Sequence, residues 1–495
     1  MDLLQAATFL LGSFAMWACI RFVLRKPNSK SLKLPPGPKP FPFIGNILAL
    51  GNKPHQSLAN LSKTYGSLMY LMLGSKKTVV VSSSEVAKLV FQKHDQVLCN
   101  RPLPEAVKVA DHHKFSVAWL PVESQWRKIR KICKEQLFSV QRLDASQSLR
   151  TEKLMQLWSY VNECSVSGRA VDVGGAAFTT SLNLLSASLF SMELASYGSD
   201  SSEELKEMLC AIMELIGKPN YGDYFPIVKK LDLQGIFRKN LFYTNKSLEI
   251  FDEIIQKRLQ ARKGEDSVPR HDMLEALLDL TEGNDDHQNT ALSFDDIKHL
   301  LLDLFAAGTD TSAGTVEWAM TELLRNPEKM LKLRSELMDV VGEDKIIKEQ
   351  DISRLPYLQA VIKETFRLHP AAPLLLPHKC EQNMELNGFL IPKDAQIVVN
   401  VYAIARDSSK WSDPELFMPE RFLDSEIDPR GQHFDLIPFG GGRRICIGMS
   451  LAYRMVHLML ATLVKSFEWK VEQGLPGDID MSEKFGSTLV KAVPL

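Results

Sequence analysis

Phe439-Gly440-Gly441-Gly442-Arg443-Arg444-Ile445-Cys446-Ile447-Gly448 is the stretch on which the reading of this chain turns. A single cysteine sits in a glycine-rich loop beside two arginines, just ahead of an apolar run, residues 449–463, that reads as a helix. No other cysteine or histidine stands close enough in sequence to complete a zinc quartet. A lone thiolate can instead be the axial ligand of a heme iron, pushing electron density onto the metal and favouring O–O cleavage. Glycines let the backbone approach a flat macrocycle, and backbone N–H groups can point at the sulfur to hold its charge. Arg444 is placed to meet a heme propionate. The competing reading is a buried, inert cysteine in a glycine-rich turn.

Composition bounds the rest. The chain has 495 residues, 45% hydrophobic and 24% charged, enough for a large core in one big domain or two ordinary ones. Its net charge of −1 gives no sign of a nucleic-acid partner. The seven cysteines, at 19, 99, 133, 164, 210, 380 and 446, include no C-x-x-C pair. They read as reduced thiols on the cytosolic side of a membrane rather than a disulfide framework.

Residues 3–24 are apolar apart from Gln5, Ser13 and Arg21, a run long enough to span a bilayer as a helix. Arg21, Arg25, Lys26, Lys30 and Lys33 follow and only Asp2 precedes, which keeps the C-terminal bulk in the cytoplasm. A cleaved signal peptide would want a charged n-region and a small-residue cleavage site, and neither is clear. The expected organisation is a transmembrane signal anchor over 1–24, a basic linker and proline-rich hinge over 25–40, and one domain over 41–495. The hinge is Leu34-Pro35-Pro36-Gly37-Pro38, stiffened by prolines that fix φ; a proline-rich partner motif is the alternative.

Strands are expected over 68–73 and 78–82, joined by Gly74-Ser75-Lys76-Lys77. A second hairpin is expected at Asn387-Gly388, a type I′ turn signal, followed by a strand over 396–401. Residues 262–290 are polar and charged, with surface loops expected at their ends. Elsewhere the chain reads as helix, so the expected class is mainly α with small β-sheets.

Ser293-Phe-Asp-Asp296 reads as a capped helix start, and the helix should run to about Arg325 before Pro327 stops it. In its middle lies Ala306-Ala307-Gly308-Thr309-Asp310-Thr311-Ser312. Gly308 costs about 1 kcal/mol relative to alanine in a helix interior, so the run needs a reason. Hydroxyls there can bond the i−4 carbonyl and bend the helix; a surface aspartate with a capping threonine is the plain alternative. Glu364-Thr-Phe-Arg367 places an acid and a base one turn apart, which alone is a weak signal. Pro419-Glu-Arg421-Phe422 follows, and Trp126-Arg-Lys-Ile-Arg130 precedes.

The spacing Phe-x-x-Gly-x-Arg-x-Cys-x-Gly resembles the heme-binding signature of cytochromes P450. At roughly 5% usage per fixed position, it arises by chance in about one chain in ten thousand of this length. The other motifs stand in the family's order, so the resemblance spans essentially the whole chain. It implies the cytochrome P450 fold, with heme b bound through Cys446 and with Trp126, Arg130, His378 and Arg444 at the propionates. It implies an oxygen groove in which Thr311 and Asp310 deliver protons to O2, and a buried structural ion network of Glu364, Arg367 and Arg421. By position the substrate pocket would be lined by Ala306, Ala307, Ala372, Leu375, Ser487 and Thr488.

The implied activity is monooxygenation of a small apolar substrate, with O2 and electrons from NADPH passed by NADPH–cytochrome P450 reductase. Arg127, Lys128, Lys131 and Lys134 would dock that reductase, or form an ordinary solvated face. The implied location is the endoplasmic reticulum membrane, single-pass, with the catalytic domain cytosolic. Pro-Pro-Gly-Pro and Arg406-Asp-Ser-Ser-Lys-Trp411 look like plant microsomal members.

Lys114-Phe-Ser-Val-Ala-Trp-Leu-Pro121, Arg142-Leu-Asp-Ala-Ser-Gln147, Val171-Asp-Val-Gly174 and Glu483-Lys-Phe-Gly486 are similar to the geraniol 8-hydroxylase group, which acts on monoterpenols and includes abietane-type diterpenoid oxidases. Ile447 departs from that group, which often has proline there. The expected substrate is a terpenoid. An alkaloid or phenolic is the alternative, and a heme-thiolate sensor without turnover is the rival from outside catalysis. A family member needing no electron donor would lack Thr311.

Overall fold

The computed structural model describes residues 32–197, 200–263, 272–281, 291–343, 345–471 and 475–495. The expected anchor over 1–24 and the first part of the linker lie outside the described residues. The proline-rich segment lies inside them and is extended, but it does not hang free. Pro36 O accepts the Tyr70 N–H at 2.8 Å and Lys33 O accepts the Leu390 N–H at 2.9 Å, so the segment is pinned across two sheets. A Cβ on Gly37 would come within 1.9 Å of the Tyr70 carbonyl oxygen, which is why glycine interrupts the prolines.

Helix α1 (Pro54–Tyr65) precedes a hairpin of β1 (Leu68–Leu73) and β2 (Lys76–Val81). The connection is shorter than expected. Lys76 and Lys77 already pair with Leu73 and Met72, which leaves Gly74-Ser75 as a two-residue turn with Gly74 at φ +59°. A two-residue turn of positive φ matches the twist of the paired strands, and that geometry outweighs the polar look of the lysines.

The helical body follows: α2 (Ser124–Ile132), α3 (Gln147–Ser167), α4 (Val173–Phe190), α5 (Asp200–Gly217) and α6 (Ile236–Arg262). A short helix, Met273–Asp279, stands in the middle of the polar stretch 262–290, whose expected end loops fall largely outside the described residues. Asp272 caps it and Leu274, Leu277 and Leu278 anchor it, an apolar i, i+3, i+4 set too brief to show against its charged surroundings.

Helix α7 (Phe294–Arg325) crosses the interior, and most of its residues between Asp296 and Leu323 are buried. It begins in a capping box: Ser293 Oγ accepts the Asp296 N–H at 3.0 Å and Asp296 Oδ2 accepts the Ser293 N–H at 2.9 Å. It ends at Asn326, where Pro327 opens α8 (Pro327–Val341). Helix α4 packs along α7 and is buried for most of its length. Among the described residues it alone is long and apolar enough to cross a membrane, yet its side chains face the protein interior, which marks a core helix. Phe305 of α7 stacks on Phe190 of α4 at 5.6 Å and on Phe251 of α6 at 5.4 Å, tying the three together.

After α9 (Pro356–Leu368) come β3 (His378–Lys379), β4 (Met384–Leu386), β5 (Phe389–Ile391) and β6 (Gln396–Val399). The main sheet has the order β1-β2-β6-β3, with β6 parallel to β2. Asn387 and Gly388, at φ +50° and +81°, make the expected tight turn between β4 and β5. Strand β6 stops at Val399 rather than at 401. Asn400 turns to cap the helical turn Val401–Ile404, its Oδ1 accepting the Ala403 N–H at 3.1 Å. Helix α10 (Met449–Ser466) and the hairpin of β7 (Glu483–Phe485) and β8 (Leu489–Lys491) complete the chain, a mainly helical body with small sheets.

The Glu364–Arg367 pair on α9 is fully buried. Arg367 Nε and Nη2 donate to the two Glu364 carboxylate oxygens at 2.7 and 2.9 Å, and Arg421 Nε donates to Glu364 Oε1 at 3.1 Å. The remaining Arg367 donors reach the carbonyls of Ala405 and Pro414 at 2.7 Å and of Leu416 at 3.1 Å. Both guanidiniums lie near the Trp411 ring, at 5.4 and 6.0 Å. Every member is satisfied, so removing one leaves a buried, uncompensated charge. We expect Glu364→Ala to lose roughly 3–5 kcal/mol and to fail to accumulate as folded protein, measured by urea unfolding and yield. A variant with the parent midpoint would show that the network does not brace the fold.

Candidate active site

The loop of residues 439–448 closes on itself through the Cys446 N–H, which donates to Phe439 O at 3.0 Å. It delivers Cys446 to the start of α10, whose N-cap is Gly448. Of the described cysteines Cys446 alone is exposed, yet protein surrounds its sulfur closely enough to desolvate it. The side chain therefore opens onto an internal space. Burial pushes its thiol above the ordinary value, while the Gly448 N–H, the Arg130 charge and the Met449 N–H pull it back. N–H donors at a helix N-terminus are the local means of holding a thiolate.

Two of the loop glycines have a packing cause within the protein. Gly442 sits at φ +66°, and a Cβ there would lie 2.4 Å from Asp95 Oδ1 and 2.8 Å from Phe91 O. A Cβ on Gly441 would press the Phe91 ring at 3.0 Å. These glycines serve close packing against protein. Gly448, by contrast, has no heavy atom within 4 Å of its would-be Cβ.

Three arginines converge near this loop. Arg444 donates to the carbonyls of Cys99, Ala118 (3.1 Å) and Leu120; Arg101 donates to those of Leu376 and Pro377 (3.0 Å); Arg130 donates to Ile445 O. Among the described residues none of the three pairs with a carboxylate, and the buried Nε of Arg101 has no partner. Burial pushes Arg444 down to about 10, and burial with repulsion from Arg444 pushes Arg101 well below its ordinary value. A buried cation without a counter-charge is expensive, so this donor set suits an anionic group with carboxylate-like geometry, as the heme propionates are.

Trp126 and His378 stand close to these arginines. Trp126 lies between two guanidiniums, with Arg130 and Arg444 each 5.3 Å from its ring, but its N–H donates to Val117 O at 3.0 Å. His378 is buried and its Nδ1 bonds Leu98 O at 2.7 Å; a carbonyl only accepts, so Nδ1 carries the proton. Burial, with repulsion from Arg101, keeps the ring neutral, which leaves Nε2 bare. As placed, both frame the arginines and neither has an N–H left for a propionate. Arg101, which sequence reading passed over, has the free donor. An isolated arginine carries no signal until the fold buries it.

On α7, Thr311 Oγ1 donates to Ala307 O at 2.7 Å, Thr309 to Phe305 O at 2.7 Å and Ser312 to Gly308 O at 3.1 Å. The i−4 back-bonding expected of this run is therefore present. Ala307 is exposed and Thr311 half-exposed in a helix that is otherwise mostly buried, so this i, i+4 pair forms an open stripe. Ala306 points the other way, into the core. Gly308 has a packing reason: a Cβ there would lie 2.8 Å from Leu185 of α4. Asp310 is turned from the Thr311 stripe. It accepts the Thr488 hydroxyl and, at 3.8 Å, the Cys210 thiol, and burial raises its pKa.

Of the expected pocket residues, Leu375 and Ser487 line a cavity of about 160 Å³ with Trp119, Pro102, Ile216 and Phe485. Ala306, Ala307, Ala372 and Thr488 are not in its wall. The loop bearing Trp119 is clamped by Asp303, one turn before Ala307. Asp303 accepts Ser116 Oγ at 2.8 Å and the Val117 N–H at 2.7 Å, with His112 Nε2 at 3.2 Å. His112 and His299 face each other at 3.0 Å, and burial pushes His299 down to about 4. Nothing in the sequence announces this cluster, because Ser116 and Asp303 stand 187 positions apart.

Residues 35–493 match the cytochrome P450 family model. The chain is 54% identical over 488 residues to Cytochrome P450 76T24 of Catharanthus roseus, covering 98% of this chain and 97% of that one. It is 48% identical over 495 residues to a geraniol 8-hydroxylase of Swertia mussotii, covering 100% and 98%. It is 47% identical over 491 residues to a ferruginol synthase of Salvia miltiorrhiza, covering 98% of each. The chain belongs to the cytochrome P450 family. It is a monooxygenase that carries heme on a cysteine thiolate and takes O2, a small substrate and electrons from a redox partner.

The glycines give a test that separates protein packing from heme packing. We expect Gly442→Ala to lower the urea midpoint of heme-free and heme-loaded protein alike, by about 1–3 kcal/mol, through backbone strain and the Asp95 contact. Gly448→Ala should leave the heme-free midpoint unchanged and weaken heme retention alone. Equal losses in the heme-free protein would contradict this division.

Proposed function

We propose that this chain hydroxylates a terpenoid, a monoterpenol such as geraniol or an abietane-type diterpenoid, with Cys446 as the heme ligand. The observation that carries the reading is the Cys446 sulfur next to Arg130, with the half-buried Arg101 and Arg444 near the same loop and, among the described residues, no carboxylate paired with any of the three. Arg101, Arg130 and Arg444 hold the propionates, with the Trp126 ring between Arg130 and Arg444. The terpenoid assignment is supported by the geraniol 8-hydroxylase and ferruginol synthase among its relatives.

When bound, heme activates O2 and inserts one oxygen atom into a C–H bond. The protein supplies position, dryness and protons. The Thr311 hydroxyl gives its hydrogen to Ala307 O, which leaves its lone pairs to accept from water on the open stripe. Asp310, in the next position, is the relay from the solvent side, and burial keeps its proton available nearer neutral pH than an ordinary aspartate's. Electrons come from NADPH–cytochrome P450 reductase, docked on α2 and the turn after it, where Arg127, Lys131 and Lys134 are exposed. Residues 1–24 hold the enzyme in the endoplasmic reticulum membrane with its catalytic domain in the cytosol.

The test is incubation of the protein, a plant reductase and NADPH with geraniol and, in parallel, with an abietane diterpene. A hydroxylated product from either supports the reading. Heme-loaded, reducible protein that oxidises neither would overturn the terpenoid assignment. With the accepted substrate, Thr311→Ala should release several-fold more hydrogen peroxide per NADPH than the parent enzyme; unchanged coupling would remove Thr311 from proton delivery.

A further inference from the structure

The tip between β7 and β8 reaches from the cavity wall to α7. Phe485, Gly486 and Ser487 line the 160 Å³ cavity. Ser487 is stapled to α5, its N–H and hydroxyl both donating to Met213 O. The approach is as close as backbones allow: a Cβ on Gly217 would lie 1.9 Å from Ser487 N. The next residue, Thr488, is buried, and its hydroxyl donates to Asp310 Oδ2, while Cys210 of α5 reaches Oδ1 at 3.8 Å. Asp310 is thus held by α5 and the β7–β8 tip, and not by its own helix.

We propose that Thr488 is a positioning residue for oxygen activation: it fixes the Asp310 carboxyl from a tip whose preceding residues, Phe485 to Ser487, line the cavity beside Leu375 and Trp119. This inference rests on Asp310 acting as the proton relay. The groups that face Asp310 are Thr488 from the β7–β8 tip, Cys210 and Lys206 from α5, and Lys484 from β7. Among the described residues no cation pairs with the carboxylate: Lys484 is bound to Glu214 at 2.8 Å and Lys206 lies over the Phe178 ring. The ionised form therefore depends on two neutral donors, of which the hydroxyl is the stronger. A hydroxyl that donates to the charged form favours it. Its loss disfavours ionisation and moves the proton uptake of Asp310 to higher pH. It also frees the carboxyl to leave the position in which Thr488 and Cys210 hold it.

The experiment uses the full-length protein in membranes with a plant reductase, NADPH and geraniol. Hydrogen peroxide released per NADPH is followed across the neutral pH range, and the thiolate-type CO spectrum confirms intact heme binding. Thr488→Val should release several-fold more peroxide per NADPH, with its pH inflection displaced upward. Thr488→Ser, which keeps the hydroxyl, should restore both. The proposal is overturned if Thr488→Val matches the parent enzyme while Asp310→Asn uncouples it, or if Thr488→Ser and Thr488→Val are altered alike, which marks a steric role. An Asp310→Asn variant with parent coupling would overturn the relay reading itself.

Discussion

A thiol enclosed by protein resists ionisation, and this chain must nevertheless present one as a thiolate. Burial raises the Cys446 pKa, while the Gly448 and Met449 N–H groups and the Arg130 charge oppose it. That balance requires the loop to meet the start of α10 at one fixed angle. The glycines that permit it are shaped by Phe91 and Asp95, from far earlier in the chain. Arg443 adds to the same anchor, pairing with Asp95 at 2.8 Å. The loop is therefore held from both sides by protein, before heme enters the account.

The rest of the fold serves that geometry. Glu364, Arg367 and Arg421 fasten α9 to residues 405–421. The carbonyls that receive Arg444 come from residues 99, 118 and 120, and Asp303 of α7 holds Ser116 and Val117 beside them. One helix thus carries the Thr311 stripe, the Asp303 clamp and the aromatic contact to α4 and α6. Leu185 of α4 fills the space a side chain at Gly308 would take, so a residue that looks like a helix defect is a packing requirement.

What the sequence discloses is what depends on neighbours along the chain. The Ser293 cap, the Pro327 stop, the Asn387-Gly388 turn and the Glu364–Arg367 pair are local patterns, and each stands where local chemistry puts it. The Cys446 loop is legible because several side chains must share one spacing. What it conceals is direction. Ala306 and Ala307 are adjacent, yet one faces the core and the other the open stripe. Thr488 reads as a pocket residue until the tip is seen turning it onto Asp310. Trp126 and His378 carry suitable N–H groups, but Val117 and Leu98 take them, and only the assembled fold shows that Arg101 has a donor to spare.

The most direct test of the account is the CO spectrum of the reduced, heme-loaded protein, recorded for the parent chain and for Cys446→Ser. A thiolate trans to CO shifts the main heme band far to the red of the position that an imidazole or weak oxygen ligand gives. The account predicts the red-shifted band in the parent chain and its complete loss in the serine variant. A parent spectrum of the imidazole type, or a serine variant that keeps the thiolate band, would contradict Cys446 as the ligand and, with it, the role of the loop that the fold is built to hold.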